Sequence, residues 1–354
     1  MGTRLGAIGL GGLGSIELEI LADIDGVEIV AGADVSAASR EAFESTHGAP
    51  AYAEHEAMLE AHGDELDGVS IVTPHTLHYR QAMDCLRAGV DVFVEKPMAT
   101  GVENAVDLVE TASKLDRVLQ VGYQRHFHPL FRELKETVES GRIGDVHSVN
   151  CYLGQEWISI QEGTWRTDPS LSGGGQLYDS GSHLLDALLW TTDARPASVA
   201  AVTDNRGHDV DVNSALAATL ERDGRTITAS IGVTGDGSAH DPHEGIVIWG
   251  TDGRIDYHDG EMTVVDADGT TRVRADESTT GFRQLTRRKL VAFVQAVEGE
   301  REPAVSGRFG LQVTALTEAA YESVATGETV NVGALLDRGR EAREEGPTLQ
   351  GEAE

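Results

Sequence analysis

Residues 90–97 read Val90-Asp91-Val92-Phe93-Val94-Glu95-Lys96-Pro97, a short apolar run that ends abruptly in two charged residues and a proline. A run of this length is typical of a buried strand in a parallel sheet. Ligands of open α/β sheets bind just beyond the carboxyl ends of the strands, so Lys96 is expected to point its ammonium into a crevice. A cis Lys96–Pro97 bond would turn the chain sharply and fix the direction of Lys96. The alternative is a surface turn with a solvated lysine.

A glycine-rich turn lies near the N-terminus, where an apolar strand at 4–8 enters Gly9-Leu10-Gly11-Gly12-Leu13-Gly14 and a helical pattern follows. This G-x-G-x-x-G spacing between strand and helix predicts a dinucleotide-binding turn. Gly9 permits the tight turn, Gly11 lets the backbone approach a pyrophosphate, and Gly14 allows close packing of helix on strand. The helix N-terminus would offer its N–H groups to the phosphates. An ordinary glycine turn is the alternative.

The choice of dinucleotide rests on Asp34, which ends a second apolar strand, Val27 to Ala33. An acid at this place accepts hydrogen bonds from the adenosine ribose and repels a 2′-phosphate, so NAD is favoured over NADP. Arg40 is the complication. It is expected to stack on the adenine, but it could instead hold a 2′-phosphate, which leaves NADP as the alternative, or it is a solvated helix charge.

The wider pattern predicts two domains and a tail. Strands at 68–73, 90–94 and 118–121 alternate with helices, which predicts a doubly wound parallel sheet and an NAD(P)-binding Rossmann domain over residues 1–125. Consecutive short strands and two later helices predict an α+β domain with a large, mostly antiparallel open sheet over residues 126–337, for substrate binding and oligomerisation. Residues 338–354 are charged and are expected to form a frayed tail.

A second charged group opens a predicted helix at Asp179-Ser180-Gly181-Ser182-His183. Residues four apart share a helix face, so Asp179 is expected to lie beside His183 and to hold its tautomer. Oxidising an alcohol needs a base for the hydroxyl proton, which His183 would supply, and a cation near the oxygen, which Lys96 would supply. The alternative for the pair is a capping aspartate and an incidental histidine.

Composition limits the partners and the compartment. The chain of 354 residues has 59 acids against 28 bases, a net charge of −31, and only four lysines. Such a surface is typical of a protein from a high-salt cytoplasm, and it argues against nucleic acid, which needs a basic footprint. No apolar run approaches a membrane span, and Met1 runs almost directly into a strand, so no signal peptide is expected. The two cysteines, Cys85 and Cys151, are expected to be reduced core residues of a cytoplasmic protein.

These motifs, in this order, resemble the Gfo/Idh/MocA family of glucose–fructose oxidoreductases and inositol 2-dehydrogenases over roughly Leu5 to Val332. The resemblance implies an NAD(P)-dependent oxidoreductase of sugars, inositols or related polyols, and a homodimer or homotetramer. It implies Lys96, Asp179 and His183 as the catalytic set, which would also contact the substrate. Histidine rather than tyrosine at 183 favours the inositol-dehydrogenase-like branch. The motifs that carry the resemblance are Gly9 to Gly14, Thr73-Pro74-x-x-x-His78, Glu95-Lys96-Pro97, Gly122-Tyr123-Gln124-Arg125 with Pro129, and Gly174-Gly175 followed by Asp179-x-x-x-His183.

The same resemblance implies the remaining site residues. On the cofactor side they are Thr73, Pro74, His75, His78, Glu95, Lys96 and Gln124, and on the substrate side Arg125, Trp165 and Arg166. Two positions depart from the family pattern, since asparagine is common at His75 and a second arginine at His126. The alternatives are an NADP-dependent sugar dehydrogenase and a non-catalytic regulator that binds dinucleotide or sugar on the same fold. The pairs His75/His78, His126/His128 and His240/His243 lack the full ligand set of a zinc site, so no metal is expected.

Overall fold

The computed structural model describes residues 2–237 and 243–344 of the chain. Its first sheet has six strands in the order β3-β2-β1-β4-β5-β6, and every neighbouring pair is parallel. The doubly wound parallel sheet predicted from the sequence is therefore confirmed. The strands are β1 (Thr3–Ile8), β2 (Val27–Ala33), β3 (Ala51–Tyr52), β4 (Gly68–Ile71), β5 (Asp91–Val94) and β6 (Leu119–Val121).

Helices connect these strands and cover the sheet. The strand order changes direction between β1 and β4, so the loops after these strands flank the crevice where a doubly wound sheet binds its ligand. Gly9 follows β1 and Thr73 follows β4. The helices of this part are α1 (Leu13–Ala22), α2 (Ala37–His47), α3 (His55–His62), α4 (His78–Arg87), α5 (Val102–Leu115) and α6 (Pro129–Glu139).

The second sheet has nine strands in the order β14-β13-β12-β11-β7-β10-β9-β8-β15. Among its pairs only β7 with β10 is parallel, which confirms the mostly antiparallel sheet expected from the sequence. The strands are β7 (Val146–Gly154), β8 (Arg195–Asp204), β9 (Asn213–Arg222), β10 (Arg225–Thr234), β11 (His243–Gly250), β12 (Arg254–His258), β13 (Glu261–Asp266), β14 (Gly269–Arg274) and β15 (Val330–Asn331).

One face of this sheet is packed by helices and the other is exposed. The leucine, isoleucine and valine side chains of β9 and β10, such as Leu216 and Ile231, are buried. The opposite face carries smaller residues, such as Ala217 and Ser230. The alternation along β9 and β10 turns valine and isoleucine inward, so the exposed face of these two strands is small and largely polar.

The later helices return to the first sheet. In one apolar cluster, Leu290 and Phe293 of α11 join Leu5 and Phe93 of the first sheet. Both α12 and α13 contact α5. The remaining helices are α7 (Trp157–Gln161), α8 (Pro169–Ser172), α9 (Ser182–Thr192), α10 (Glu277–Thr280), α11 (Phe282–Val297), α12 (Gly307–Thr326) and α13 (Val332–Glu344).

The frayed tail expected from residue 338 differs from the structure, because α13 continues to Glu344. Arg343 donates to Asp107 (2.7 Å) and to Glu110 (2.6 Å) of α5. Gly339 faces Val102 and Val106, where an added Cβ would lie 3.4 Å from their methyl groups. Because Arg343 pairs with two carboxylates of α5, the charged helix α13 packs on the protein surface and is not frayed up to Glu344. Residues 345–354 lie outside the described residues.

Candidate functional site

The glycine-rich turn after β1 has the geometry that a dinucleotide needs. Gly9 has φ of 89°, and a Cβ there would lie 2.0 Å from the Val72 carbonyl oxygen. A Cβ on Gly14 would lie 2.0 Å from the Gly9 carbonyl oxygen, so only glycine lets α1 pack this close to β1. At the start of α1, Gly12 provides no side-chain cap. The first N–H groups therefore lack a side-chain acceptor, which fits a phosphate at this place.

Asp34 lies at the end of β2 beside this turn. Its Oδ2 accepts a hydrogen bond from the Leu10 N–H (2.8 Å) and its Oδ1 from the Ser36 N–H (2.7 Å). Each carboxylate oxygen has further lone pairs, so ribose hydroxyls could still be accepted. Arg40 donates from Nη1 to the carbonyls of Asp34 (2.8 Å) and Val35 (3.1 Å), which holds its guanidinium along the backbone next to the acid.

The loop after β5 brings Lys96 to Asp179. The Lys96–Pro97 bond is cis, and the Lys96 ammonium donates to Asp179 Oδ1 (2.7 Å) and to the Asp179 carbonyl (3.1 Å). The other carboxylate oxygen, Oδ2, accepts from Trp157 Nε1 (2.8 Å) and Arg166 Nε (3.1 Å). Burial alone would raise the pKa of Asp179, but the charges of Lys96 and Arg166 outweigh it and hold that pKa well below its usual range. Asp179 therefore remains an anion that orients Lys96.

His183 lies nearby but makes no hydrogen bond to Asp179. Its Nδ1 is buried and has no hydrogen-bond partner within 2–237 and 243–344, and its ring meets that of Tyr123 edge-on at 5.8 Å. The expected regular helix is interrupted by a π-helical turn at Leu177–Gly181, before α9 begins at Ser182. A π turn inserts a residue into the helical spacing, so residues four apart no longer stand one above the other. Asp179 consequently serves Lys96, not His183 as the sequence spacing suggested.

The charge state of His183 follows from its surroundings. Burial lowers the pKa of His183 well below its ordinary 6.5, and the cations Lys96 and Arg125 lower it further. The carboxylate of Asp179 opposes this shift only in part. The imidazole is therefore neutral near pH 7, the form that a proton acceptor requires.

His78 and His75 follow β4 and are both buried. The ring nitrogens of His78 contact two backbone carbonyls, Nδ1 with Pro97 (2.7 Å) and Nε2 with Thr73 (2.9 Å). Because its two ring nitrogens face carbonyls of the loops after β4 and β5, His78 joins these two loops. Thr73 donates from Oγ1 to Gln81 Oε1 (2.6 Å), and Pro74 precedes a 3-10 turn at 75–77.

His75 faces the second domain. Its Nδ1 contacts the Ser172 carbonyl (3.0 Å), its Nε2 lies 4.0 Å from Asp179 Oδ1, and its ring meets Trp165 at 4.7 Å. Burial and then the charge of Lys96 lower the pKa of His75 to about 3. Cofactor contact by His75 and His78 remains a prediction from the resemblance, whereas their observed contacts position neighbouring loops.

We call residues 157–172 the strap, because this segment of the second domain crosses to the loop after β4. Thr76 donates from Oγ1 to the carbonyls of Ser170 (3.0 Å) and Leu171 (3.1 Å). Arg166 stacks on the Trp165 ring at 4.4 Å and reaches Asp179 from there. The strap therefore holds Trp165 and Arg166, both predicted substrate residues, beside the Lys96–Asp179 pair.

Glu95 and Arg125 each have a charged protein partner. Glu95 is buried, accepts from the Lys96 N–H through Oε2 (3.2 Å) and pairs with Lys289 through Oε1. Arg125 pairs with Glu244 of β11, which also lines a cavity of about 1130 Å³ together with Tyr257. Gln124 is half-buried just after β6. Sequence reasoning missed Trp157, Glu244 and Lys289, and the scarcity of lysine was a signal only for the last.

The histidine pairs noted in the sequence have other partners in the structure. His126 contacts Asp186 Oδ1 (2.8 Å) and stacks on Trp190, while His240 lies outside the described residues. One other group in the described ranges, His55 with Glu56 and Asp84, has metal-ligand side chains close together. Arg80 forms ion pairs with both Glu56 and Asp84, so the charge of these two carboxylates is already balanced by a side chain of the protein.

Comparison with known proteins gives a match for each domain. Residues 3–123 match the model described as "Oxidoreductase family, NAD-binding Rossmann fold". Residues 131–256 match the "GFO/IDH/MocA C-terminal domain". The first domain is thus an NAD-binding Rossmann domain, in agreement with the geometry of its glycine turn and Asp34.

Individual relatives agree with these matches. The rhizopine catabolism protein MocA of Rhizobium meliloti is 32% identical over 56% of this chain and 60% of that protein, so the chain spans less than two thirds of it. An inositol 2-dehydrogenase of the same species (strain 1021) is 25% identical over 94% of this chain and 100% of that protein. The crystal structure of an oxidoreductase domain protein from Kribbella flavida shares the fold, with a TM-score of 0.84 and 22% identity over 94% of this chain and 100% of that one. Within the part of the chain that the structure describes, no helix combines the length and apolar character of a membrane span.

Proposed function

The chain belongs to the Gfo/Idh/MocA oxidoreductase family, and on that premise we propose that it is an NAD-dependent dehydrogenase of an inositol, a sugar or a related polyol. The observation that carries the proposal is the Lys96–Asp179 pair, in which a lysine ammonium at a parallel strand end is held by a buried carboxylate of the other domain. A regulator that only binds ligand would not need this cation, nor a neutral histidine, beside the dinucleotide site.

The residues of this site divide the work of oxidising a hydroxyl group. A bound NAD would supply the acceptor for the hydride that leaves the carbon carrying the hydroxyl. His183, neutral because of burial and nearby cations, takes the hydroxyl proton. Lys96 donates to the reacting oxygen and stabilises its developing negative charge. Asp179 holds Lys96 in place, and Trp157 and Arg166 hold the carboxylate of Asp179 in turn.

The remaining predicted residues would surround the two ligands. The phosphates of NAD would lie against Gly9 to Gly14 and the N-terminus of α1, and the ribose against Asp34. The half-buried Gln124 is proposed for the nicotinamide side, and Trp165 and Arg166 of the strap for substrate hydroxyls. The polyol class is supported by the family and by the relative named inositol 2-dehydrogenase. NAD is favoured over NADP because Asp34 would face a 2′-phosphate with its own negative charge.

The setting of the enzyme is proposed from its surface. A net charge of −31 supports a high-salt cytoplasm, where screening reduces the repulsion between carboxylates. The exposed face of the second sheet supports a homodimer or homotetramer. The domain boundary near residue 125 is also proposed, since the first sheet ends at Val121 and the second begins at Val146.

The test is a substrate screen of the purified protein in molar KCl. Inositols, aldoses and glycosides are incubated with NAD or NADP while the absorbance of the reduced nicotinamide is followed. We expect turnover of at least one cyclic polyol or sugar with NAD, and its loss in Lys96→Met. Tight NADH binding without turnover of any substrate in the panel would instead favour the regulator.

A further inference from the structure

Lys289 of α11 is a buried cation that contacts two carboxylates of the first domain. Its Nζ donates to Glu17 Oε1 (2.7 Å), pairs with Glu95 Oε1 and lies 5.2 Å from the centre of the Phe93 ring. The three charged side chains are 8% exposed or less. We call Glu17, Lys289 and Glu95 the buried bridge.

Each end of the buried bridge touches a part of the proposed site. Glu17 lies on α1 four residues after Leu13, about 6 Å along the axis from the helix end that meets the phosphates. Glu95 precedes Lys96 and accepts from its N–H. A Cβ on Gly122, just after β6, would lie 2.4 Å from Glu95 Oε1. The carboxylate of Glu95 therefore fits here only because residue 122 is glycine.

The main chain of Lys289 is tied to the same place. Its carbonyl accepts from Gln120 Nε2 (3.0 Å) on β6, next to the strand that carries Lys96. The chain has only four lysines among 28 basic residues, so a buried lysine is unusual for it. A compact ammonium fits between two carboxylates, where the planar fork of arginine would demand more room.

The bridge has one cation for two acids, so its charge is unbalanced when both acids are ionised. Burial raises the pKa of Glu17 to about 7, although Lys289 opposes this shift. Burial also acts to raise the pKa of Glu95, but Lys289 and Lys96 outweigh it and lower that pKa. The charged groups that face Glu17 are Lys289 from α11 and Glu95 from the end of β5. Glu17 is therefore the member of the bridge whose proton is lost within the neutral pH range.

We propose that Lys289 is a positioning residue that couples dinucleotide binding to the placement of Lys96. Through Glu95 it fixes the backbone that carries Lys96, and through Glu17 it holds α1 and its phosphate-binding end against that backbone. The inference rests on the proposed function, because it concerns a dinucleotide on α1 and Lys96 at the reacting oxygen.

The first test replaces Lys289 with methionine, which keeps the length and removes the charge. We expect kcat to fall about 10- to 100-fold, because a misplacement of about 1 Å can cost about 10²-fold. The KM of the polyol should change much less. The matched control is Arg287→Met, which removes the more exposed pair between Arg287 of α11 and Asp23, the residue just after α1 (2.9 Å). Its kcat should stay within about twofold of wild type, as expected for a surface pair.

The second test is Glu17→Gln, which retains an oxygen to accept from Lys289 but cannot ionise. NADH affinity is measured by fluorescence titration from about pH 6 to about pH 8. In the wild type we expect affinity to fall severalfold as Glu17 loses its proton, since a buried negative charge then lies near the phosphates. In Glu17→Gln this pH dependence should disappear. If Lys289→Met does not fold, the pH dependence of NADH affinity in Glu17→Gln tests the inference in its place.

Two results would overturn the inference. One is a folded Lys289→Met with the kcat of Arg287→Met, and the other is a Glu17→Gln that keeps the wild-type pH dependence of NADH affinity. A wild type that neither binds NADH nor oxidises any polyol overturns the proposed function instead.

Discussion

At the residue scale, the proposed site depends on how each charged side chain is neutralised. Asp179 has three donors, Lys96, Trp157 and Arg166. His183 has a buried Nδ1 without a partner among the described residues. The acid is therefore fixed by the protein, while Nδ1 of the proposed base is available to a substrate hydroxyl.

The first prediction concerns His183. His183→Ala should lower kcat by about 10²–10⁴-fold, because that is the usual effect of losing a general base. NAD affinity should be nearly unchanged, since the dinucleotide is held by the first domain. The measurement is steady-state kinetics beside a fluorescence titration, with His147→Ala, at an exposed position of β7, as control. Near-normal turnover would mean that another group, with Lys96 first in line, accepts the proton.

The second prediction concerns Asp34. Asp34→Ala should lower the preference for NAD over NADP by about tenfold or more, corresponding to about 1.4 kcal/mol, because it removes a ribose acceptor and a repulsive charge. The preference is the ratio of kcat/KM for the two cofactors. Arg40→Ala is the companion variant, and it should leave NAD use largely intact. A wild type that already prefers NADP, with that preference lost in Arg40→Ala, would make Arg40 the reader of the cofactor.

At the element scale, the strap ties the second domain to the loop after β4. His75 and Thr76 hold the carbonyls of Ser170, Leu171 and Ser172. These contacts bring Trp165 and Arg166 to Asp179. The strap is thus anchored on the Rossmann domain as well as on its own sheet.

The third prediction follows from the buried ring of His75. The pKa of His75 in the folded chain, about 3, lies below the ordinary 6.5. On acidification, His75 is therefore protonated in the unfolded chain at pH values where it stays neutral in the folded chain. The stability contributed by the neutral ring is fully present above about pH 6.5 and is lost as pH falls toward 3. Between pH 7 and 5 the wild type should therefore lose about 2 kcal/mol more than His75→Asn. Urea unfolding at both pH values in constant KCl measures it, and parallel losses in the two proteins would contradict the prediction.

At the scale of the whole molecule, charge and the exposed sheet face determine behaviour in solution. A net charge of −31 destabilises the compact state by repulsion unless salt screens it. On the exposed face, Val202, Ala215, Gly232, Tyr152 and Gly245 form one cross-strand row. Val202 is 66% exposed and Tyr152 is 42% exposed, and Trp249 of β11 on the same face is 39% exposed, so this face has an apolar part.

The fourth prediction is that the melting temperature rises steeply with KCl. The screening length falls from about 10 Å at 0.1 M to about 3 Å at 1 M, which removes most repulsion between surface carboxylates. Thermal melts from 0.1 to about 2 M KCl should show the effect, which should be smaller at a pH where the acids are partly protonated. A melting temperature independent of KCl would argue against a high-salt origin.

The fifth prediction is that the chain is a homo-oligomer through the exposed sheet face. Light scattering in high salt should give a dimer or tetramer mass. Ala215→Arg should shift it toward the monomer, because it places a charge within the apolar row, beside Val202. Thr46→Arg on α2 is the control for added charge. A monomer mass for the wild type would contradict the prediction that the exposed face of the second sheet forms a subunit interface.

Features that depend on local chain properties could be predicted from the amino-acid sequence alone. The glycine spacing required a tight turn, the short apolar runs required buried parallel strands, and Asp34 and Lys96 followed from their places at strand ends. These features depend on backbone conformation and on burial of neighbouring residues, so they can be read from a single stretch.

Only the tertiary structure decided which distant charges meet. The partner of Lys96 lies 83 residues away, and the two partners of Lys289 lie 272 and 194 residues away. Regular helical spacing would place Asp179 beside His183. Because of the π-helical turn before α9, Asp179 instead pairs with Lys96. A buried charge is stable only beside an opposite charge, and the packing of the whole chain determines which residue supplies it. No local sequence pattern therefore predicts the partner.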